Sequence, residues 1–230
     1  GVNLIMFDDD YRYGFLDMGM GCICKNHIEY MEKILGEKLD ESALPQSLLS
    51  GGKNKYRDAW LEANGYYMQL FAKEMREALD EINPNIRLGL CSCMSLWDTD
   101  GVDTATISKI LAGNTKPFMR LIGAPYWAVN KDWGNRLQHI IELERMEKSW
   151  CGDADIEIFA EGDVYPRPRI NCPANYLEIF DMAIRADGGL NGILKYGINY
   201  TSNPDYDTGF AARHLRNKPV YDEIHRCFDD

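Results

Sequence analysis

The sequence predicts an α/β fold: a parallel-stranded (β/α) barrel, and a partial one that lacks its first strands. Three observations lead there. Short apolar runs alternate with amphipathic segments along the whole chain. The later runs recur at thirty-odd-residue intervals, the length of one βα unit with its right-handed crossover. Finally, the turn after the first run is Asp8-Asp9-Asp10-Tyr11-Arg12 and not a glycine-rich phosphate loop. A triple acid repels phosphate, so a doubly wound nucleotide binder is disfavoured.

Five runs read as strands covered on both faces: residues 4–7, 87–91, 118–123, 156–160 and 192–198. Helical spacing is expected over 27–35, 56–82, 104–111, 135–148, 175–185 and 209–227. Asn83-Pro84 should stop the second of these, because proline disfavours a helical residue before it. Residues 39–53 read as a loop excursion above the sheet. Five strands do not close a barrel of eight. Residues 1–230 are therefore expected to form one domain, the C-terminal part of a (β/α)8 barrel. A complete open doubly wound sheet and a miscounted strand are the alternatives. The chain starts almost directly in a strand, which points to residues upstream, and a sheet this short would leave edges that favour self-association.

Composition narrows the partners. The net charge of −11 is spread along the 230 residues, and no basic stripe is available to neutralise phosphates, so nucleic acid is not an expected partner. No apolar run is long enough to span a membrane. Seven cysteines, an odd number without a disulfide-framework spacing, read as reduced thiols and favour a cytoplasmic location.

Active sites of parallel α/β folds form at the carboxyl ends of strands. Those ends here carry Asp8, Asp9 and Asp10, then Cys91-Ser92-Cys93, then Tyr126 and Trp127, then Glu161-Gly162-Asp163, then Asn199 and Tyr200. Aromatic faces beside carboxylates suit a sugar ring, which needs stacking and acid/base partners. Glu161 is the strongest single candidate for catalysis. Asp8, Asp9 and Asp10 compete for a second catalytic role. Arg12 could orient the acids or hold a substrate carboxylate, and Trp97, Tyr126, Trp127, Asn199 and Tyr200 complete the expected substrate-binding set. Counting along strands puts Glu157 and Glu161 on one face. It also suggests a buried charged layer of Arg120, Glu157 and Lys195 beneath the site.

Cys22-x-Cys24 and Cys91-x-Cys93, with His27 nearby, could form a tetrathiolate metal set, but cysteines packed as small core residues are the commoner outcome. No metal or other cofactor is therefore expected. His139, His214 and His225 read as structural or solvent-facing helix residues.

The segment Ile5-Met6-Phe7-Asp8-Asp9-Asp10-Tyr11-Arg12, followed by Gly21-Cys22-Ile23-Cys24-Lys25-Asn26-His27, resembles a group of uncharacterised bacterial glycoside hydrolases. These are similar to the retaining (β/α)8-barrel clan that includes β-galactosidase-like enzymes. The resemblance covers nearly the whole chain as strands four to eight of such a barrel. It implies hydrolysis of a glycosidic bond by a carboxylate pair and a carbohydrate substrate. Asp9-Asp10-Tyr11 then stands where the clan carries Asn-Glu and an aromatic, with Asp10 as the acid, and Glu161 stands at the nucleophile position. Aspartate in place of glutamate is one methylene shorter, which alters the reach of the acid. Two rivals stay open. One is a metal-dependent hydrolase using Asp8, Asp10 and His27 or Glu161. The other is non-catalytic, a carbohydrate-binding barrel that has lost its acid or a fragment without activity; burial of Glu161 against Arg120 would tell against the hydrolase and move this reading ahead.

Overall fold

A computed structural model describes residues 1–8, 11, 13, 21–92, 101–122, 137–163, 174–195 and 209–229. Its strands are β1 (Leu4–Phe7), β2 (Arg87–Cys91), β3 (Phe118–Leu121), β4 (Glu157–Gly162) and β5 (Gly192–Lys195). The helices are α1 (Lys25–Leu35), α2 (Leu44–Leu49), α3 (Lys55–Ile82), α4 (Thr104–Ala112), α5 (Leu137–Trp150), α6 (Ala174–Asp187) and α7 (Phe210–Asp229). The strands form one sheet in the order β1-β2-β3-β4-β5. Both described registers, β1 with β2 and β4 with β5, are parallel. A doubly wound sheet reverses its strand order at a switch point. This sequential order has no reversal and is the winding of a partial (β/α) barrel.

The chain divides into two compact units, Gly1–Phe118 with Ala154–Ile156, and Met119–Asp153 with Glu157–Asp230. In the first unit, α3 is the spine. Asn54 caps its start by accepting from the Arg57 amide at 2.9 Å, and Asn83 follows its last residue, where the Asn-Pro signal expects the stop. Its early turns pack Ala59, Trp60 and Ala63 against Ile28 and Met31 of α1 and Leu44 and Leu48 of α2. Helix α2 corrects the reading of 39–53 as a plain loop. Pro45 sits in its first turn, and Leu44 and Leu48, four residues apart, present one buried face.

Further along α3, buried Arg76 donates to the carbonyls of Ile86 at 2.9 Å and Leu111 at 3.3 Å, and to Asp80 at 2.6 Å. It thereby ties the helix to the turn before β2 and to the end of α4. Gly101 explains how closely α3 is approached: its φ is +78°, and a Cβ there would meet the Leu61 carbonyl oxygen at 2.0 Å. Tyr11 donates its hydroxyl to the Met68 carbonyl at 2.8 Å and packs on Phe7 and Phe71, which fixes the chain just after β1.

In the second unit, Ile140 of α5 and Phe180 and Ile184 of α6 bury Ala160 of β4, with Ile193 of β5 packed alongside. Asn191 primes the β4–β5 ladder. Its side chain accepts from the Ile158 amide at 2.8 Å, and its own amide donates to the Ile158 carbonyl at 2.8 Å. The register then pairs Ala160 with Ile193, Glu161 with Leu194 and Gly162 with Lys195. That register decides which side chains can meet.

Candidate functional site around Glu161

Glu161 lies inside β4, one residue beyond the end expected from sequence. Ala160 faces the helices, so alternation sends Glu161, with Phe159 and Glu157, to the opposite face of the strand. There Arg120 of β3 places Nη1 2.9 Å from Glu161 Oε1, with both side chains sealed from solvent. A buried carboxylate requires such a cation, since desolvation otherwise costs several kcal/mol, on the order of the Coulombic gain itself.

Helix α5 carries two further buried carboxylates. Glu144 and Glu147 are buried, and among the described residues neither oxygen of Glu144 has a hydrogen-bond partner. Burial pushes the Glu144 carboxyl well above the ordinary range, and the charges of Glu147 and Glu161 push it further, against the opposing pull of Arg120. Of these carboxyls, Glu144 is the one whose surroundings favour its protonated form. The sequence carried a signal for it: residues 140, 144 and 147 form one stripe on α5, so acids interrupt a face that begins with isoleucine. Asp163, just past β4, is also fully buried.

The expected layer of Arg120, Glu157 and Lys195 needs correction. Arg120 is buried as expected, but its ion-pair partner is Glu161, while Glu157 is only half-buried. Lys195 belongs to the opposite face. It shares that face with Ile193, and its ammonium lies 2.7 Å from Glu178 Oε1, 2.9 Å from His214 Nδ1, and in contact with Asp181 Oδ2. Tyr221 and Asn217 of α7 also donate to Glu178 Oε2, and Arg185 donates to Asp181 Oδ1 at 2.5 Å. Burial opposes ionisation of Glu178, yet the bonds from Lys195, Tyr221 and Asn217 together hold its carboxyl below the usual range. His214 is lowered by burial and by the Lys195 charge. Glu178, Asp181 and His214 have the spacing of a metal triad, but the ammonium of Lys195 already supplies the central positive charge. His214 is thus structural, as the sequence suggests, while His139 and His225 are exposed.

Asp8 follows β1 and is exposed, and its carbonyl accepts from the Tyr11 amide at 3.3 Å. Asp9, Asp10, Arg12, Trp97, Tyr126, Trp127, Asn199 and Tyr200 lie outside the described residues, as does Cys93. Of the predicted site residues, the structure therefore describes Asp8 in the first unit and Glu161 in the second. The Nδ1 of His27 lies 3.3 Å from Cys24 Sγ. Cys91 and Cys151 are buried, in keeping with small core residues, whereas Cys22 is half-buried and Cys24 exposed. Among the described residues no helix is long and apolar enough to cross a membrane.

No protein-family model matches the chain, and no curated protein or solved structure matches it either.

Proposed function

We propose that the chain is part of a glycoside hydrolase of the (β/α)-barrel type, in which a carboxylate pair cleaves a glycosidic bond and Glu161 is the nucleophile. The observation that carries this reading is the place of Glu161. It stands at the carboxyl end of a parallel strand, on the face turned away from the helices, with the Arg120 guanidinium on one oxygen. Strand ends of that kind are where (β/α) barrels assemble reacting groups. In a retaining displacement the carboxylate attacks the anomeric carbon while a second carboxyl group protonates the departing oxygen. Water, deprotonated by that same group, then releases the sugar. Asp10 is the proposed acid, with Asp8 and Asp9 as its competitors. Arg12, Trp97, Tyr126, Trp127, Asn199 and Tyr200 are the proposed sugar contacts.

The burial of Glu161 against Arg120 is the outcome expected of the non-catalytic reading, a carbohydrate-binding barrel without turnover, and it counts against the first. Glu161 has no exposed surface and Arg120 occupies Oε1, so the carboxylate reaches a sugar only if the pair opens. Hydrolysis of a panel of aryl glycosides by the wild type and by Glu161→Gln, alongside calorimetric binding of the same sugars, separates the two. Turnover that disappears in the variant while binding persists supports the hydrolase. Binding without turnover in either protein supports the second reading. Equal turnover in both removes Glu161 from the chemistry.

A further inference from the structure

The first unit contains a cluster that the hydrolase reading does not use. Cys22, Cys24 and His27 each bring one donor atom within 4.8 Å of the others. The backbone around them is held in place at several points. Trp60 Nε1 donates to the Cys22 carbonyl at 2.9 Å, and the Tyr67 hydroxyl donates to the Asn26 carbonyl at 3.0 Å. Gly21 lets the chain pass close to Tyr13, since a Cβ on it would meet Tyr13 Cβ at 2.9 Å. Cys24 then caps α1, and its carbonyl accepts the first helical bond, from the Ile28 amide at 3.0 Å.

The donors point at each other. The Cys24 amide donates to Cys22 Sγ at 3.4 Å, and Cys24 Sγ meets His27 Nδ1 at 3.3 Å. His27 is 3% exposed and packed between the rings of Tyr13 and Tyr67. Among the described residues, the polar group its ring meets is the Cys24 thiol, at Nδ1.

We infer that Cys22 Sγ, Cys24 Sγ and His27 Nδ1 form a binding site for a thiophilic divalent cation of the Zn²⁺ class. Two thiolates and one imidazole are a borderline-soft donor set that suits a tetrahedral d¹⁰ ion and leaves hard cations poorly served. The two thiolates neutralise the ion's charge. The exposed side of Cys24 leaves a fourth position for solvent. With Nδ1 on the metal, the ring proton resides on Nε2, against the aromatic rings. The ion clamps the segment before α1 onto the start of that helix, a structural role separate from sugar chemistry.

The test uses the reduced wild-type chain with Co²⁺ as spectroscopic probe and Zn²⁺ as competitor. One equivalent of Co²⁺ is expected to produce thiolate-to-cobalt charge-transfer absorption with tetrahedral ligand-field bands, and Zn²⁺ should displace it. Zn²⁺ should also slow alkylation of Cys22 and Cys24 by about tenfold or more, while exposed Cys227 stays reactive as the internal control. The bands should vanish in Cys22→Ser/Cys24→Ser and survive in Cys227→Ser. His27→Gln should weaken binding by more than the roughly 10–100-fold that losing an outer-shell partner costs. Absence of the charge-transfer bands in the wild type, or equal alkylation of Cys22 and Cys24 with and without Zn²⁺, overturns the site. Both readouts use folded wild-type protein, so a variant that misfolds cannot rescue or sink the inference.

Discussion

Arg120 Nη1 lies 2.9 Å from Glu161 Oε1, with 1% and 0% of the two side chains exposed. Breaking such a pair from one side leaves a buried charge without its counter-ion. Arg120→Met or Glu161→Leu alone is therefore expected to lower unfolding free energy by about 3–5 kcal/mol, and the double variant to recover most of it. Denaturant titration of the four proteins measures the coupling directly. Additive losses would show that the two side chains are held by other partners.

Glu144 ties stability to pH. Its carboxyl is raised in the folded chain, so between the unfolded and folded values the native state holds the extra proton. Stability from this group is full below the ordinary carboxylate range and declines as pH rises towards the folded value. Glu144→Gln removes the titration, so it should melt higher than the wild type at neutral pH, with a flatter dependence above the ordinary carboxylate range. Thermal melts at a series of pH values check this, and parallel curves for the two proteins would refute it.

Lys195 is the cation between Glu178 and Asp181, which are 7% and 0% exposed at their side chains. Lys195→Met keeps the side-chain length and removes the charge. A loss of about 3–5 kcal/mol is expected, because two buried carboxylates then repel each other. A neutral substitution would mean that Arg185 and Tyr221 alone satisfy the pair.

Gly101 combines a φ of +78° with a Cβ position 2.0 Å from the Leu61 carbonyl oxygen. Gly101→Ala therefore carries both backbone strain and a backbone clash, and should cost more than the 1–3 kcal/mol typical of core overpacking. Gly152 has a similar φ of +55° with no neighbour within 4 Å of a Cβ. Gly152→Ala isolates the strain alone and should cost less. Chemical denaturation of the two variants ranks them.

How far the sequence could be read follows from which forces act locally. Alternating apolar runs and helical stripes are local properties, so the five described strands and the six longer described helices could be located from the sequence. Short α2 escaped because six residues give too little periodicity, although Leu44, Pro45 and Leu48 carried its signature. The facing of Lys195 is not legible from sequence alone. The side-chain period is two, so a one-residue shift turns every residue to the other face, and the register of Gly162 with Lys195 is set by pairing with β4. Burial of Glu161 by Arg120 joins two strands some forty residues apart, and only the fold brings them together. Glu144 was legible in hindsight as an acid on an apolar stripe. The thiol–imidazole cluster was visible as a motif, while the turn of His27 onto Cys24 was not.

Under the proposed function, Glu161 attacks the anomeric carbon. The most direct test of this step is covalent trapping with a panel of 2-deoxy-2-fluoro glycosides bearing good leaving groups, read by intact mass and peptide mapping. The expected result is one added glycosyl unit per chain, carried on the peptide containing Glu161 and absent in Glu161→Gln. An adduct on another carboxylate, or hydrolysis of the parent glycosides without any adduct on Glu161, would contradict it.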